Sequence, residues 1–511
     1  MGEEVMSNLY SQLEARFPED SSAIFIEVDT DESYTYGELR RITARYANLL
    51  ADLGVQRGDR IAVQIEKSPE AIFLYLACVR AGAVFLPMNT AYRTSEADYI
   101  LGDAHPKVLV CKPEREAEMT KIAARYDIAH LMTMGQAHEG SFVLAAIPRS
   151  EEFATVAVDE AEDVAAILYT SGTTGRPKGA MLTHRNLASN ARSLYEVWQF
   201  RPGDLLLHAL PIFHAHGLFV ATNTQLWNGG GMLYLSAFDT DRVIDLLPRA
   251  TVFMGVPTYY VRLLRSSRFD QGACRNMRLF VSGSAPLLEE TFHGFRRRTG
   301  FTIVERYGMT ETLMITSNPI GAEKAGSVGP PLPGIEARVC DPGDNVLPQG
   351  EVGTIEVRGP NVLKGYWRNE EKTKSEFRRD GFFVTGDMGR IDDDGYVWIM
   401  GRAKDLVISG GFNVYPKEIE LVIDMIDGVE ESAVIGLPHP DFGEGVTAVV
   451  VRKAGGPELG EQQIIDRLKP VLASYKVPKR VLFVDALPRN TMGKVQKSQL
   501  RDELADTYPR S

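Results

Sequence analysis

From about Arg60 onward the chain repeats one unit, a short apolar run followed by a stretch with helical spacing, and this constrains the fold more than any other feature. Residues 61–65 are apolar, 69–81 carry a helical pattern, and apolar runs return at 83–87 and 107–111. The rhythm resumes with apolar runs at 164–168, 205–210, 232–235, 251–254, 279–281 and 302–304. Such alternation predicts parallel sheets covered by helices, because consecutive parallel strands need a long crossover and a helix supplies it. Between 335 and 400 the pattern changes to strands and turns punctuated by Gly353, Gly359, Gly381 and Gly395, which predicts a smaller β-rich subdomain. After Arg402 a new cycle begins, with the turn Gly410-Gly411, a helix from Pro416, strands near 433–436 and 447–451, and a helix from Glu461. The expected architecture is α/β. A large N-terminal domain, residues 1–402, holds parallel-rich sheets covered by helices plus the β-rich subdomain, and a small mobile α+β domain, residues 403–511, follows. A chain of 511 residues exceeds one ordinary core, in agreement with this division. Residues 112–160 carry no pattern clear enough to assign.

The run 164–168 leads directly into Tyr169-Thr170-Ser171-Gly172-Thr173-Thr174-Gly175-Arg176-Pro177-Lys178-Gly179. Glycines let backbone N–H groups approach an anion, the hydroxyls donate further hydrogen bonds, and Lys178 adds a point charge. This is a device for holding phosphates. It is not the loop of kinases and GTPases, because the spacing from Gly172 or Gly175 never reaches Gly-Lys-Ser/Thr.

The segment resembles the phosphate loop of the adenylate-forming superfamily, which includes acyl-CoA synthetases, luciferases and the adenylation domains of peptide synthetases. Further matches follow in family order: Glu305-Arg306-Tyr307-Gly308-Met309-Thr310-Glu311-Thr312, Thr385-Gly386-Asp387, Gly401-Arg402-Ala403-Lys404-Asp405 and Pro488-Arg489-Asn490-Thr491-Met492-Gly493-Lys494. The resemblance runs nearly end to end and implies ATP, Mg2+ and coenzyme A as cofactors or co-substrates. It assigns the 170–175 loop and Lys178 to the departing phosphates, Thr310 to phosphate and Glu311 to Mg2+, a hard cation suited to carboxylate and phosphate oxygens. Tyr307 is expected to stack on adenine, with Ser284-Ala285-Pro286 lining the base, and Asp387, supported by Arg402, to accept from the ribose hydroxyls. Lys494 is implied as the mobile ammonium of adenylation, Lys404 as the hinge between domains, and Gly411 as the lining of the channel for the CoA thiol. The segment ending at Lys494 also matches the pattern in which related ligases meet a protein lysine acetyltransferase.

The acid is read from two further segments. Pro211-Ile212-Phe213-His214-Ala215-His216-Gly217 contains His-x-His with no nearby carboxylate to complete a metal site, and His214 matches a position that lines the acyl pocket. No aspartate stands here to hold a substrate ammonium, which argues against an amino acid. In Gly255-Val256-Pro257-Thr258-Tyr259-Tyr260-Val261-Arg262, the arginine stands where fatty and aromatic acyl ligases tend to be small or apolar. Here the chain resembles the malonyl-CoA synthetases, in which this guanidinium binds the distal carboxylate through paired, charge-assisted hydrogen bonds. Ser282, Ser284 and Met309 are expected beside the substrate. Ala215 is a departure, since several such enzymes carry threonine or valine there. Its small side chain leaves room for a methyl group and implies methylmalonate as a second substrate.

The formal charge of -12 gives no footprint for nucleic acid, so the partners are small molecules captured by local basic groups. The longest apolar run, 71–79, is closed by Arg80 and too short to span a bilayer. Four scattered cysteines suggest neither a disulfide framework nor a zinc site. With an acidic start, Met1-Gly2-Glu3-Glu4, these features lead to the expectation of a cytoplasmic protein away from membranes.

Overall fold

The computed structural model describes residues 8–28, 32–136, 138–170, 177–490 and 494–508. Two parallel-rich sheets form the large N-terminal part. One has seven strands in the order Gly365–Tyr366, Lys178–Thr183, Val164–Thr170, Val84–Pro87, Arg60–Gln64, Val108–Cys111 and His130–Thr133. The other has eight, in the order Leu313–Ser317, Val304–Met309, Leu279–Ser282, Val252–Gly255, Leu205–His208, Gly231–Tyr234, Ile24–Val28 and Ser33–Thr35. Inner strands pair in parallel, as the apolar alternation requires, except that Val164–Thr170 and Lys178–Thr183 pair antiparallel, and antiparallel partners close three of the four edges. Each strand of the alternation lies within a residue or two of its expected place, except that the run at 302–304 becomes a strand from Val304 to Met309.

The helix Pro69–Arg80 is buried on all sides, which explains its near-continuous apolar sequence, and it begins on a Ser68 cap with Pro69 in the first turn. Helix Tyr36–Asp52 starts on a capping box in which Thr35 and Glu38 exchange hydrogen bonds. The illegible segment 112–160 holds helices Glu116–Arg125 and Ser141–Ala146 and the edge strand His130–Thr133. Its apolar stripe is narrow, Met119, Ile122 and Ala123 in the first of these helices, and so left little periodic signal.

The β-rich stretch forms a four-stranded antiparallel sheet of Glu336–Cys340, Gly353–Arg358, Phe383–Ile391 and Val397–Arg402. Beyond it, Phe412–Val414, Val407–Ser409, Gly443–Arg452 and Val429–His439 pair antiparallel, and Arg480–Val484 adds in parallel to Gly443–Arg452. Helices Pro416–Asp424 and Glu461–Leu468 pack on this sheet over a separate apolar cluster that includes Ile419, Ile423, Val434, Ala448, Val450 and Ile464. All four cysteines are buried and free, and among the described residues no helix is long and apolar enough to cross a membrane.

Candidate active site

The strand Val304–Met309 and its turn into Leu313–Ser317 carry the centre of the site. Arg306 pairs with Ser317 and Met309 with Leu313, so the turn presents Thr310 and Glu311 at one end of the sheet. Glu311 is buried, and its Oε1 accepts from Thr170 Oγ1 at 3.4 Å and Tyr366 Oη at 3.2 Å. Burial raises its pKa, with the Arg402 charge acting in the opposite sense. Thr170 pairs with Lys178 across the strands that flank the phosphate loop, and the Lys178 ammonium lies 5.7 Å from the Tyr366 ring centroid. Ser171, Gly172, Thr173, Thr174 and Gly175 lie outside the described residues.

Asp387 is buried on the strand Phe383–Ile391. Tyr307 Oη donates to its Oδ2 at 2.5 Å, and Arg402 Nε pairs with its Oδ1 at 2.7 Å. These contacts fix the Tyr307 ring and still leave lone pairs on the carboxylate, which can accept about four hydrogen bonds. Ala285 is half-buried and Pro286 exposed in the loop after Leu279–Ser282. Glu305 is buried, accepts from the Leu287 N–H at 3.1 Å, and has its pKa pushed up to about 7 by burial.

On the other side of the Val304–Met309 strand, Arg306 is 3% exposed, and its Nε and Nη2 have no hydrogen-bond partner. Gly283 makes room for it, since a Cβ there would collide with the guanidinium. Burial lowers the Arg306 pKa to about 9, and its charge in turn lowers those of His214 and His216, for which burial is the larger cause. Two more unpartnered polar atoms lie in this region, Ser282 Oγ and His216 Nε2. Ser284, held in the left-handed region at φ 71°, brings its Oγ to 3.2 Å from His216 Nδ1. Left-handed backbone at a non-glycine residue costs of order 1 kcal/mol and gathers at ligand sites. Ala215 is buried beside them, and Met309 is half-buried.

Arg262 differs from its expected setting. It lies on the helix Pro257–Arg265, whose buried face is Tyr260 and Leu263, and its own side chain is exposed. Among the described residues, Arg306 is a buried cation in this part of the molecule.

Lys494 comes from the small domain. Its N–H donates to Asn490 Oδ1 at 3.0 Å, and its carbonyl accepts from the Asn490 N–H at 2.9 Å. Crowding by protein atoms and the charges of Arg402 and Lys404 lower its pKa, while Asp387 and Glu311 act in the opposite sense. It also contributes to the lowered pKa of His214, about 3. The Lys494 charge is therefore coupled to Asp387 and Glu311 on one side and to His214 on the other. Lys404 is exposed in the short turn Ala403–Asp405, and Gly411 is exposed at φ 82° with open space where a Cβ would stand.

Sequence reasoning missed Tyr366. Tyr366 reaches the phosphate side through the pairing of Gly365–Tyr366 with Ala180 and Met181, a contact between segments so far apart in the chain that it leaves no local signal.

Residues 11–367 match the AMP-binding enzyme family and residues 418–494 the AMP-binding enzyme C-terminal domain. The chain is 55% identical to MatB from Rhodopseudomonas palustris, covering 98% of this chain and 99% of that one. It superposes with a TM-score of 0.95 on the ATP-bound crystal structure and 0.86 on the apo structure. It is 34% identical to the malonate–CoA ligase of Arabidopsis thaliana, over 97% of this chain and 89% of the relative. It is 38% identical to a feruloyl-CoA synthase of Amycolatopsis sp, over 91% and 93%. The two family matches together cover most of the chain, and the chain belongs to the AMP-binding enzyme family.

Proposed function

We propose that this chain is an ATP-dependent, AMP-forming acid–thiol ligase that joins malonate to coenzyme A through malonyl-adenylate, releasing AMP and pyrophosphate. The observation that carries the choice of acid is Arg306, a buried guanidinium with unpartnered N–H groups. A buried cation is costly unless an anion meets it, and the distal carboxylate of malonate meets that need. Butyrate or ferulate would leave it unpaired. Ser282 and Ser284 offer hydroxyls to the same carboxylate, Met309 and His214 wall the pocket, and Ala215 leaves room for the methyl of methylmalonate. Arg262 is assigned to the open mouth of the pocket as a second guanidinium.

In adenylation a proximal carboxylate oxygen attacks the α-phosphorus and the bond to the β-phosphate breaks. Lys494 brings its ammonium to the carboxylate and phosphate oxygens, offsetting the repulsion of two anions, and neutral His214 adds no competing charge. Tyr307 and Asp387 hold the adenosine, and Thr310 and Lys178 the phosphates. Glu311 with the Thr170 and Tyr366 hydroxyls is a set of hard oxygen donors that fits Mg2+. When bound, that ion supplies positive charge to the departing pyrophosphate. The domain boundary is assigned to 402/403, with Lys404 as hinge: rotation there withdraws Lys494 and brings Gly411 to the thiol path. The likeness to an ATP-bound relative supports the present arrangement as the adenylating one. A protein lysine acetyltransferase acting on Lys494 when rotation withdraws it, and a cytoplasmic setting, complete the proposal.

The test is AMP release with CoA across malonate, methylmalonate, succinate, butyrate and ferulate. Malonate should give the highest kcat/KM. A higher value for butyrate or ferulate overturns the choice of acid, and absence of acid-dependent ATP–pyrophosphate exchange overturns the ligase.

A further inference from the structure

His216 opens the segment His216–Asn223, which is wound as a π-helix, a rare form that gathers at functional sites, and every residue of it is buried. His216 is 1% exposed. Its Nδ1 lies 3.2 Å from Ser284 Oγ, and its Nε2 has no hydrogen-bond partner. A buried polar atom left unpaired is costly, so a ligand that pairs it is strongly favoured. Geometry sets the ring beside the Arg306 pocket: a Cβ on Gly283, the neighbour of Ser284, would stand 2.3 Å from Arg306 Cζ. Ser282, on the other side of Gly283, also has its Oγ without a partner. Burial first, and then the Arg306 charge, hold the His216 pKa well below the usual histidine range, so the ring is neutral and carries one N–H.

We infer that His216 is a specificity-determining residue for the distal carboxylate of the acid, donating from Nε2–H in a tautomer fixed by Ser284. This rests on the choice of a dicarboxylate in the proposed function and deepens it. A neutral imidazole has one donor and one acceptor nitrogen, so a Ser284 hydroxyl that donates to Nδ1 leaves the hydrogen on Nε2. The unpartnered donors are then Arg306 Nε–H and Nη2–H, Ser282 Oγ–H and His216 Nε2–H. The first two share the edge of the guanidinium that grips a carboxylate side-on. Together they match the roughly four hydrogen bonds that one carboxylate accepts. Ser284 is a positioning residue that offers its hydroxyl to the carboxylate by way of the imidazole. The other tautomer would turn a lone pair towards the anion and repel it.

The experiment measures KM and kcat for malonate and for butyrate in the full chain and in His216→Phe, His216→Gln, Ser284→Ala and the double variant His216→Phe/Ser284→Ala. Loss of a hydrogen bond to a charged group should raise the malonate KM about ten- to a hundred-fold in His216→Phe. The malonate kcat should change little, because the distal carboxylate is remote from the phosphorus under attack. Butyrate, which lacks that carboxylate, should lose far less. His216→Gln, whose amide N–H can stand in for Nε2–H, should recover part of the malonate affinity. Ser284→Ala should raise the malonate KM by a smaller factor and add nothing on top of His216→Phe. An unchanged malonate KM in His216→Phe, or equal losses for the two acids, overturns the inference and leaves the proposed function standing. Should His216→Phe fail to fold, an unchanged malonate KM in Ser284→Ala does the same. A wild-type chain that does not prefer malonate to butyrate overturns both the choice of acid and the inference.

Discussion

Replacing Arg306 by methionine removes a charge and keeps most of the bulk, and the structure predicts opposite effects on stability and on activity. Arg306 is 3% exposed, and burial pulls its pKa well below the usual arginine range to about 9, with Tyr260 acting in the opposite sense. A base whose folded pKa is depressed is charged in both states at neutral pH, so the fold carries the full cost there. That cost lifts only as pH rises past about 9. The difference corresponds to roughly 5 kcal/mol as an upper figure. Partial relaxation lowers it, so Arg306→Met should stabilise the ligand-free protein by about 1–3 kcal/mol, seen as a rise of a few degrees in Tm. Malonate then loses its partner, and kcat/KM should fall by about 3–4 kcal/mol, or two to three decades. Butyrate, with no second charge, should change little. Parallel losses for malonate and butyrate, or a lower Tm in the variant, would refute the reasoning, because either outcome makes Arg306 a structural cation.

Four further outcomes are expected. Arg262→Ala should lower kcat/KM for malonate by less than Arg306→Met does, because an exposed guanidinium is screened, and Arg262→Lys should fall between wild type and alanine; equal losses for butyrate would remove Arg262 from the pocket. Lys494→Ala should slow adenylation by about two to three decades and spare transfer from preformed malonyl-adenylate to CoA, and stoichiometric acetylation of Lys494 should act likewise, so equal damage to both half-reactions counts against two arrangements. Gly411→Leu meets open space here and should spare ATP–pyrophosphate exchange while stopping CoA-dependent turnover. Gly411→Ala carries the same backbone strain at φ 82° and serves as the control, so a matching loss in alanine reduces the glycine to a turn residue. Glu305, with its pKa raised from 4.5 to about 7 by burial, is protonated more readily folded than unfolded, so stability should fall as pH rises through that window and level off above it. Glu305→Gln should flatten that slope and gain up to roughly 3 kcal/mol at about pH 8, read from denaturant melts; an unchanged slope would assign the pH dependence elsewhere.

The strand-and-helix alternation was legible because a strand covered on both faces must be apolar throughout, as Val164–Thr170 and Val252–Gly255 largely are, and a crossover helix must follow it. The motifs around Thr310, Asp387 and Lys494 could be singled out because each is contiguous: backbone freedom, hydroxyls and charge lie within a few residues. What the sequence could not decide is which side chains share a space. Arg262 was the arginine expected in the acyl pocket and Arg306 only a member of the nucleotide motif, and only packing buries Arg306 against Gly283 and leaves Arg262 in solvent. Tyr366 meets Glu311 because a two-residue strand, Gly365–Tyr366, pairs with Lys178–Thr183. Periodicity and motifs report interactions that recur along the chain, whereas burial and charge pairing depend on distances set by strand order across the sheets.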